Sequence, residues 1–379
     1  MLSSATIHCN SIKLLRGVDM KAVVAHDIDD FSVVNVDLDA PKVGEVLVKM
    51  KATGICHSDL SIINGTIRWK LPSVLGHEGA GIIEQVGEGV SNVKEGDHVV
   101  LSFVPNCGDC YNCQRAEPHL CQMSKPHGGL LDGTSRVKMD GQEIAVMSML
   151  GNMAEYCVVP EACVVSVDKE HDFKAAALVG CGVTTGVGAA IKTAEVKPGS
   201  TVAVFGCGGV GLNVIQGARI AGAARIIAVD LSAERMELAR SFGATDVINP
   251  KGDPVKQVQD ITDGIGADYC FEVVGSGKLV EACFKATRFG GTTVLVGVGR
   301  ADDRFSINAM IVPFSSKTIK GCMYGSANFK VDFPMYLDLY RQKKLDLDSL
   351  VTRTYSIDEA PEAFADLESG KNARGVIVY

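Results

Sequence analysis

The chain has 379 residues, 46% of them hydrophobic and 22% charged, which is enough for two packed domains rather than one. Its formal net charge of −8, with basic residues dispersed, repels nucleic-acid phosphates, and no basic stripe interleaved with aromatics runs through it. No run of eighteen apolar residues occurs, so a membrane-spanning segment is not expected.

The opening "MLSSATIHCNSIKLLRG" has no acidic residue and carries Ser, Lys and Arg, a faint echo of a transit peptide. It lacks an apolar central run, so it reads as a short extension, and a cytoplasmic location is expected. A strand begins at Met20 in "MKAVVAHD". Thirteen cysteines, an odd number without a secretion signal, are expected to stay reduced, which turns clustered thiols toward metal.

From Lys21 to about Val165 the chain reads as short strands and turns: "EVLVKMKATGI" alternates, "AGIIEQVGEGVSNVKEGDHVVLS" is strand, glycine-rich turn and strand, and "AEYCVVP" is another strand. After Cys181 the texture changes. The apolar run "TVAVFG" precedes the helical "VGLNVIQGARIAGA"; then follow "RIIAVD", "SAERMELARSFGA", "DVIN", "ADYCFEVVG", "KLVEACFKATRF" and "TTVLVGV". Apolar strands alternating with helices predict an α/β fold with a parallel sheet buried on both faces. From about Gly321 come two helices, "FPMYLDLYRQKK" and "DEAPEAFADLES", and a last strand, "RGVIVY".

"FGCGGVG" places Gly206, Gly208 and Gly211 as G-x-G-x-x-G between a strand and a helix, with Gly209 and Val210 opening the helix. The first glycine allows a tight turn, the second lets backbone approach a pyrophosphate, and the third lets helix and strand pack closely. The anion would sit on the helix N-terminus. A second strand ends in Asp230, nineteen residues after Gly211, where a carboxylate can bind ribose hydroxyls and repel the extra phosphate of NADP. NAD is therefore the expected cofactor, with Arg235 a candidate adenosine-ribose contact. The competing reading of the glycines is a tight turn without ligand, and that of Arg235 an exposed helix arginine.

"NCGDCYNCQRAEPHLC" holds Cys107, Cys110, Cys113 and Cys121 as C-x2-C-x2-C-x7-C. Ferredoxin-type runs have a shorter last gap followed by proline, and a redox C-x-x-C needs no four thiols. Four close thiolates suit a closed tetrahedral zinc, which leaves no position for substrate and is therefore structural. Other donors are Cys56 in "GICHSD", His77 in "GHEGAG" and Cys181 in "VGCGVTTG". Two thiolates and an imidazole leave a fourth zinc position open. Their spacing does not bring them together, and a single Cys or His in an apolar stretch is commonly a buried core residue.

Taken in order, "GICHSD", "GHEGAG", the four-cysteine lobe, "GCGVTTG", "GCGGVG" and "GKNARGVIVY" resemble the zinc-dependent medium-chain alcohol dehydrogenases over nearly the whole chain. The lobe and "LLDGTSRVKMDGQEIAVMSMLGNMAEY" are similar to the longer class that includes the glutathione-dependent formaldehyde enzymes. The resemblance implies a β-rich GroES-like catalytic domain at 1–185, with its zinc lobe at about 104–124. It also implies a doubly wound Rossmann domain at 186–321 and a return to the catalytic domain at 322–379. It makes Cys56, His77 and Cys181 catalytic zinc ligands, so that two zinc ions bind per chain. Asp59 would orient His77, and Glu78 would stand beside the metal. Ser58 would take the alcohol proton, its alternative being a helix N-cap.

By the same resemblance His57 and Arg374 contact the cofactor pyrophosphate, and Thr185, Val296 and Val298 line the nicotinamide pocket. Phe103, Ile67 and Trp69 form substrate-pocket walls, although Trp69, the sole tryptophan, fits equally a cap on a core edge. Two departures stand out. Ser61 replaces the histidine that extends the proton path in several relatives, so the proton would leave through water or the cofactor ribose. Lys125 replaces an arginine that binds the anionic thiol adduct in the formaldehyde enzymes, keeping the charge but losing the bidentate fork.

A primary or aromatic alcohol or aldehyde is accordingly the expected substrate, ahead of S-hydroxymethylglutathione. A non-catalytic NAD-sensing protein has no need of an open zinc, and a zinc-ribbon nucleic-acid binder conflicts with the charge. The expected assembly is a homodimer extending the cofactor-domain sheet near "TTVLVGVG", with a tetramer as the alternative.

Overall fold

The computed structural model describes residues 18–124 and 128–379. The extension at 1–17 and the substitution at Lys125 lie outside the described residues. The first strand is Val18–Asp27, opening two residues before Met20.

The strand–helix alternation after Cys181 builds one six-stranded parallel sheet. In chain order its strands are Thr201–Phe205, Arg225–Val229, Asp246–Ile248, Ala267–Glu272, Thr287–Leu295 and Thr318–Gly321. In space they run third, second, first, fourth, fifth, sixth, the doubly wound order, with its reversal at Thr201–Phe205. Successive side chains on a strand face opposite ways. Val202 and Val204 enter one apolar cluster with Leu212, Ile215 and Ala218, while Ala203 and Phe205 enter another with Val258, Cys283 and Ala286. Both faces are thus covered, which is why these strands read as unbroken apolar runs. The segment "TTVLVGVG" lies one strand in from the border; the border strand is Thr318–Gly321.

The β-rich half holds two sheets. One runs Val164–Val167, His98–Leu101, Gly79–Val86, Glu45–Gly54, Arg374–Val378, Val351–Tyr355, and Tyr156–Pro160 also pairs with Glu45–Gly54. The chain's last strand therefore returns to the first half, pairing antiparallel with Val376 opposite Gly54. The other sheet is built around the hairpin Val18–Asp27 and Asp30–Leu38.

Between the halves lies Phe173–Thr193, twenty-one residues of continuous helix that alternates α with two π turns, Val179–Val183 and Ala189–Thr193. Length and composition alone would let it cross a membrane, but 83% of its apolar window is buried inside the protein. It is a core helix, and the expected seam at 185/186 falls inside it.

Candidate active site

Three segments deliver the separated donors. Cys56 ends the turn after Glu45–Gly54 and caps the helix His57–Ile63. His77 lies just before Gly79–Val86, and Cys181 lies in the π turn Val179–Val183. All three are buried, and their ligand atoms lie within 4.8 Å of one another.

One carboxylate holds two of these segments. Asp59, fully buried, accepts through Oδ1 from Gly76 N at 3.0 Å and from His77 Nδ1 at 3.3 Å, and through Oδ2 from Cys56 N at 3.3 Å. A proton on Nδ1, toward Asp59, would leave Nε2 free as a donor to a metal. His77 Nε2 is buried without a hydrogen-bond partner. Burial opposes charge on this ring, yet Asp59 and the Cys56 sulfur outweigh it and raise the pKa to about 10. The hydrogen bond from Cys181 and the His77 charge, against the cost of burial, hold the Cys56 thiol well below its usual range. The same contact and burial push Cys181 up. Two buried sulfurs competing for ionisation beside an orphaned imidazole nitrogen form a donor set that positive charge would satisfy, and its composition fits zinc with an open corner.

Ser58 sits in the first turn of its helix, not at the cap, with its hydroxyl 3.8 Å from the Cys56 sulfur. The Thr185 side chain lies beside the Cys181 sulfur and works against the rise in its pKa. Phe103 meets the His77 ring edge-on at 5.7 Å between centroids. Ile67 and Trp69 pack against the apolar cluster of Ile55, Ile62 and Leu75, with the indole N–H buried and unpaired.

Glu78 and Arg374, both buried, form an ion pair, and the second Glu78 oxygen accepts from Gly182 N at 2.7 Å. The pair fits because side chains are missing around it. A Cβ on Gly54 would lie 2.3 Å from Glu78 Oε2, and one on Gly209 would lie 2.3 Å from Arg374 Cδ. Arg374 thus bridges the metal donors and the glycine-rich turn. Gly54 and Gly182 were not singled out in the sequence, where isolated glycines in a strand or helix carry no sign of what approaches them.

At that turn each glycine has a geometric reason. Gly206 has φ +98°, a backbone region that favours glycine. A Cβ on Gly211 would lie 1.9 Å from Gly206 O, so helix Gly209–Ile220 could not close on its strand. Gly208 faces open space, nothing lying within 4 Å of its Cβ position, so a dinucleotide backbone has room to approach. Asp230 accepts from Cys207 N at 2.8 Å and from Ser232 N at 2.9 Å, and Arg235 packs under Gly370. His57 is exposed near this cleft; desolvation and the cations Arg374 and Arg235 keep its pKa below the usual value. Val296 is buried and Val298 exposed, beyond the end of Thr287–Leu295.

In the lobe the four sulfurs lie within 4.8 Å of one another. Cys107–Cys113, Cys107–Cys121 and Cys110–Cys121 are 3.9, 3.6 and 4.0 Å apart. These separations exclude disulfides and match the edge of a tetrahedron with zinc–sulfur arms of about 2.3 Å, roughly 3.8 Å. Backbone N–H groups of Cys110 and Gln122 point at Cys107 and Cys110 sulfurs, both at 3.4 Å. The Gln122 N–H is the main influence drawing the Cys110 thiol down to about 6.

With this geometry the comparisons agree. Residues 42–169 match the alcohol dehydrogenase GroES-like domain, and residues 209–342 match the zinc-binding dehydrogenase domain. The chain is 40% identical over 365 residues to an NDMA-dependent alcohol dehydrogenase of Amycolatopsis methanolica, covering 95% of this chain and 98% of that one. The chain belongs to the zinc-dependent medium-chain alcohol dehydrogenase family. Among solved members, an alcohol dehydrogenase zinc-binding domain protein from Burkholderia ambifaria superposes with TM-score 0.91 at 32% identity, covering 96% of this chain and 99% of its own. Benzyl alcohol dehydrogenase from Acinetobacter calcoaceticus gives 0.90 at 34% identity, with 95% and 99% covered. The GroES-like and Rossmann expectations for the fold are met.

Two donor sets predict two zinc ions per chain by elemental analysis. Cys107→Ser should lose the lobe ion and keep the other; a single ion, lost entirely in that variant, would remove the Cys56–His77–Cys181 site from consideration.

Proposed function

We propose that the chain is an NAD-dependent alcohol dehydrogenase acting reversibly on primary or aromatic alcohols and their aldehydes. Cys56, His77 and Cys181 hold the catalytic zinc; Cys107, Cys110, Cys113 and Cys121 hold the structural one. The observation that carries this reading is the convergence of three buried donors within 4.8 Å, with the Ser58 hydroxyl alongside. A closed lobe or a nucleotide sensor requires no such hydroxyl.

Bound zinc supplies Lewis acidity that makes an alcohol hydroxyl easier to deprotonate, and bound nicotinamide supplies the hydride acceptor. The chain's own residues do the rest. Ser58 takes the hydroxyl proton and, with Ser61 rather than a histidine beyond it, releases it to water or the cofactor ribose. Asp59 keeps the His77 ring in one tautomer and orientation. Phe103, with Ile67 and Trp69 along the approach, excludes water from the reacting carbon. His57, Arg374 and the Gly208–Gly209 backbone receive the pyrophosphate, Asp230 and Arg235 the adenosine ribose, and Thr185, Val296 and Val298 the nicotinamide.

The assembly we propose is a homodimer. The border strand Thr318–Gly321 has no neighbour on one side among the described residues, and Met310 and Phe314 near it are 62% and 80% exposed. An open, apolar sheet border favours pairing with a second copy.

An activity screen tests the function directly. Primary and aromatic alcohols are offered with NAD, NADP or, because the Amycolatopsis relative is NDMA-dependent, NDMA as acceptor, each with and without glutathione. NAD-linked oxidation without glutathione is the expected result; activity only with glutathione, or none with NAD, would overturn the reading.

Two substitutions divide the labour. Ser58→Ala should lower kcat by roughly a hundredfold, the low end for a positioned proton acceptor, while NAD affinity measured by fluorescence titration stays within about twofold. Asp230→Gly should weaken NAD and raise the NADP/NAD ratio of kcat/KM by at least roughly tenfold, as one charge-assisted hydrogen bond and one repulsion disappear.

A further inference from the structure

Tyr324, Gly325 and Ser326 stand in succession in the left-handed backbone region, with φ of +53°, +65° and +52°. For tyrosine and serine this conformation is strained and persists only where surrounding contacts over-determine it. Those contacts follow the helix Phe173–Thr193 turn by turn. The fully buried Tyr324 donates its hydroxyl to Gly180 O, in the π turn that carries Cys181. Gly325 presses on the middle of the helix: a Cβ there would lie 2.2 Å from Thr184 O and 2.9 Å from Gly188 Cα. Ser326 Oγ meets Thr193 Oγ1 at 2.8 Å, in the second π turn.

The Tyr324 ring also reaches the imidazole side of the site. It lies 4.0 Å from the Phe103 ring, which is the ring packed on His77. The segment is tethered to the cofactor sheet through Cys322 N, which donates to Leu295 O at 2.9 Å. One short strap therefore touches the Cys181 turn and the ring behind His77 while anchored in the cofactor domain.

We infer that Tyr324–Ser326 is a strap that sets the helical phase of Phe173–Thr193, and that Tyr324 is a positioning residue aiming Cys181 toward His77 and Cys56. The inference rests on the reading of these three as zinc ligands. A π turn has longer, weaker backbone bonding than the α-helix around it and needs outside contacts to stay in place. The Tyr324 hydroxyl supplies one at the carbonyl next to the ligand.

The test combines amide hydrogen exchange on the protein as isolated with the visible spectrum of its cobalt-substituted form. Tyr324→Phe should speed exchange in residues 179–183 about tenfold, the effect of one lost buried hydrogen bond. It should also shift the component of the thiolate–cobalt absorption that Cys181→Ser removes, Cys56 and the lobe cysteines supplying the rest. Ser326→Ala should speed exchange only in 189–193 and leave that absorption in place. An unchanged spectrum and unchanged exchange in Tyr324→Phe would overturn the strap, as would protection lost evenly along the helix in either variant. If Tyr324→Phe does not accumulate, the Ser326→Ala exchange pattern decides alone. Zinc content of the unaltered chain keeps the two questions apart: one ion per chain sinks the ligand reading, whereas the exchange pattern still judges the strap.

Discussion

The Glu78–Arg374 ion pair is the contact on which most of the site's geometry depends. Two charges withdrawn from water are tolerable only together; removing one partner from such a pair typically costs about 3–5 kcal/mol because the other stays buried and unanswered. Here the pair joins four separate stretches. Glu78 follows His77 directly and receives the Gly182 N–H, Gly182 follows Cys181, and Arg374 opens the last strand and lies against Gly209. A shift of the Glu78 or Arg374 stretch would strand a charge, and a shift of Gly182 or Gly209 would cost a hydrogen bond or the close packing around the pair. The three buried donors and the glycine-rich turn are therefore held in register by one electrostatic constraint, and the chain's final strand has to come back across the first domain to provide it.

Asp59 does for orientation what Glu78 does for register. Among the described residues its one ion-pair partner is the His77 ring, and it divides its acceptor capacity among Cys56 N, Gly76 N and His77 Nδ1. That division fixes a thiol and an imidazole from two different segments around a single rigid carboxylate. It also explains the raised pKa of His77 in a pocket whose burial alone would lower it. The electrostatic demand of the pocket is for a cation, and the donor chemistry narrows which.

What could be read in the sequence was what the chain writes locally. The lobe's four cysteines fall within fifteen residues, and the sulfurs meet because the loop is short. The Gly206–Gly211 turn is likewise partly a local device: Gly206 takes a positive φ and Gly211 lets the helix close on the Gly206 carbonyl. The apolar strands announced a sheet covered on both faces, and "TTVLVGVG", expected near its border, lies one strand inside it. Cys56, His77 and Cys181, by contrast, come together through sheet pairing and helix packing over more than a hundred residues, which no spacing records; only family resemblance pointed to them. Gly54, Gly182 and Tyr324 were invisible for the same reason, since their meaning lies in what reaches them from elsewhere in the fold. Ser58 shows a smaller limit: a serine two residues into a helix looks like its cap until Cys56 is seen to occupy that place.

The helix Phe173–Thr193 explains why the third donor is the hardest to foresee. Each residue advances an α-helix by about 100°, so one extra residue in a turn swings everything after it to a new face. The π turn at Val179–Val183 inserts such a step where Cys181 must point toward the site while Ala175 to Leu178 before it and Val187 after it stay in the core. The second π turn repeats the adjustment before the chain leaves for Thr201–Phe205. Small residues make this possible: Gly186 lets the dinucleotide helix approach, a Cβ there falling 2.4 Å from Val210 O, and Gly188 admits Gly325. A glycine-rich "VGCGVTTGVGAA" thus looks like a loop by propensity and becomes the central helix by burial, because every side of it is packed. Its phase is set by neighbours from both halves, so the position of one sulfur depends on how the β-rich half and the parallel-sheet half are assembled.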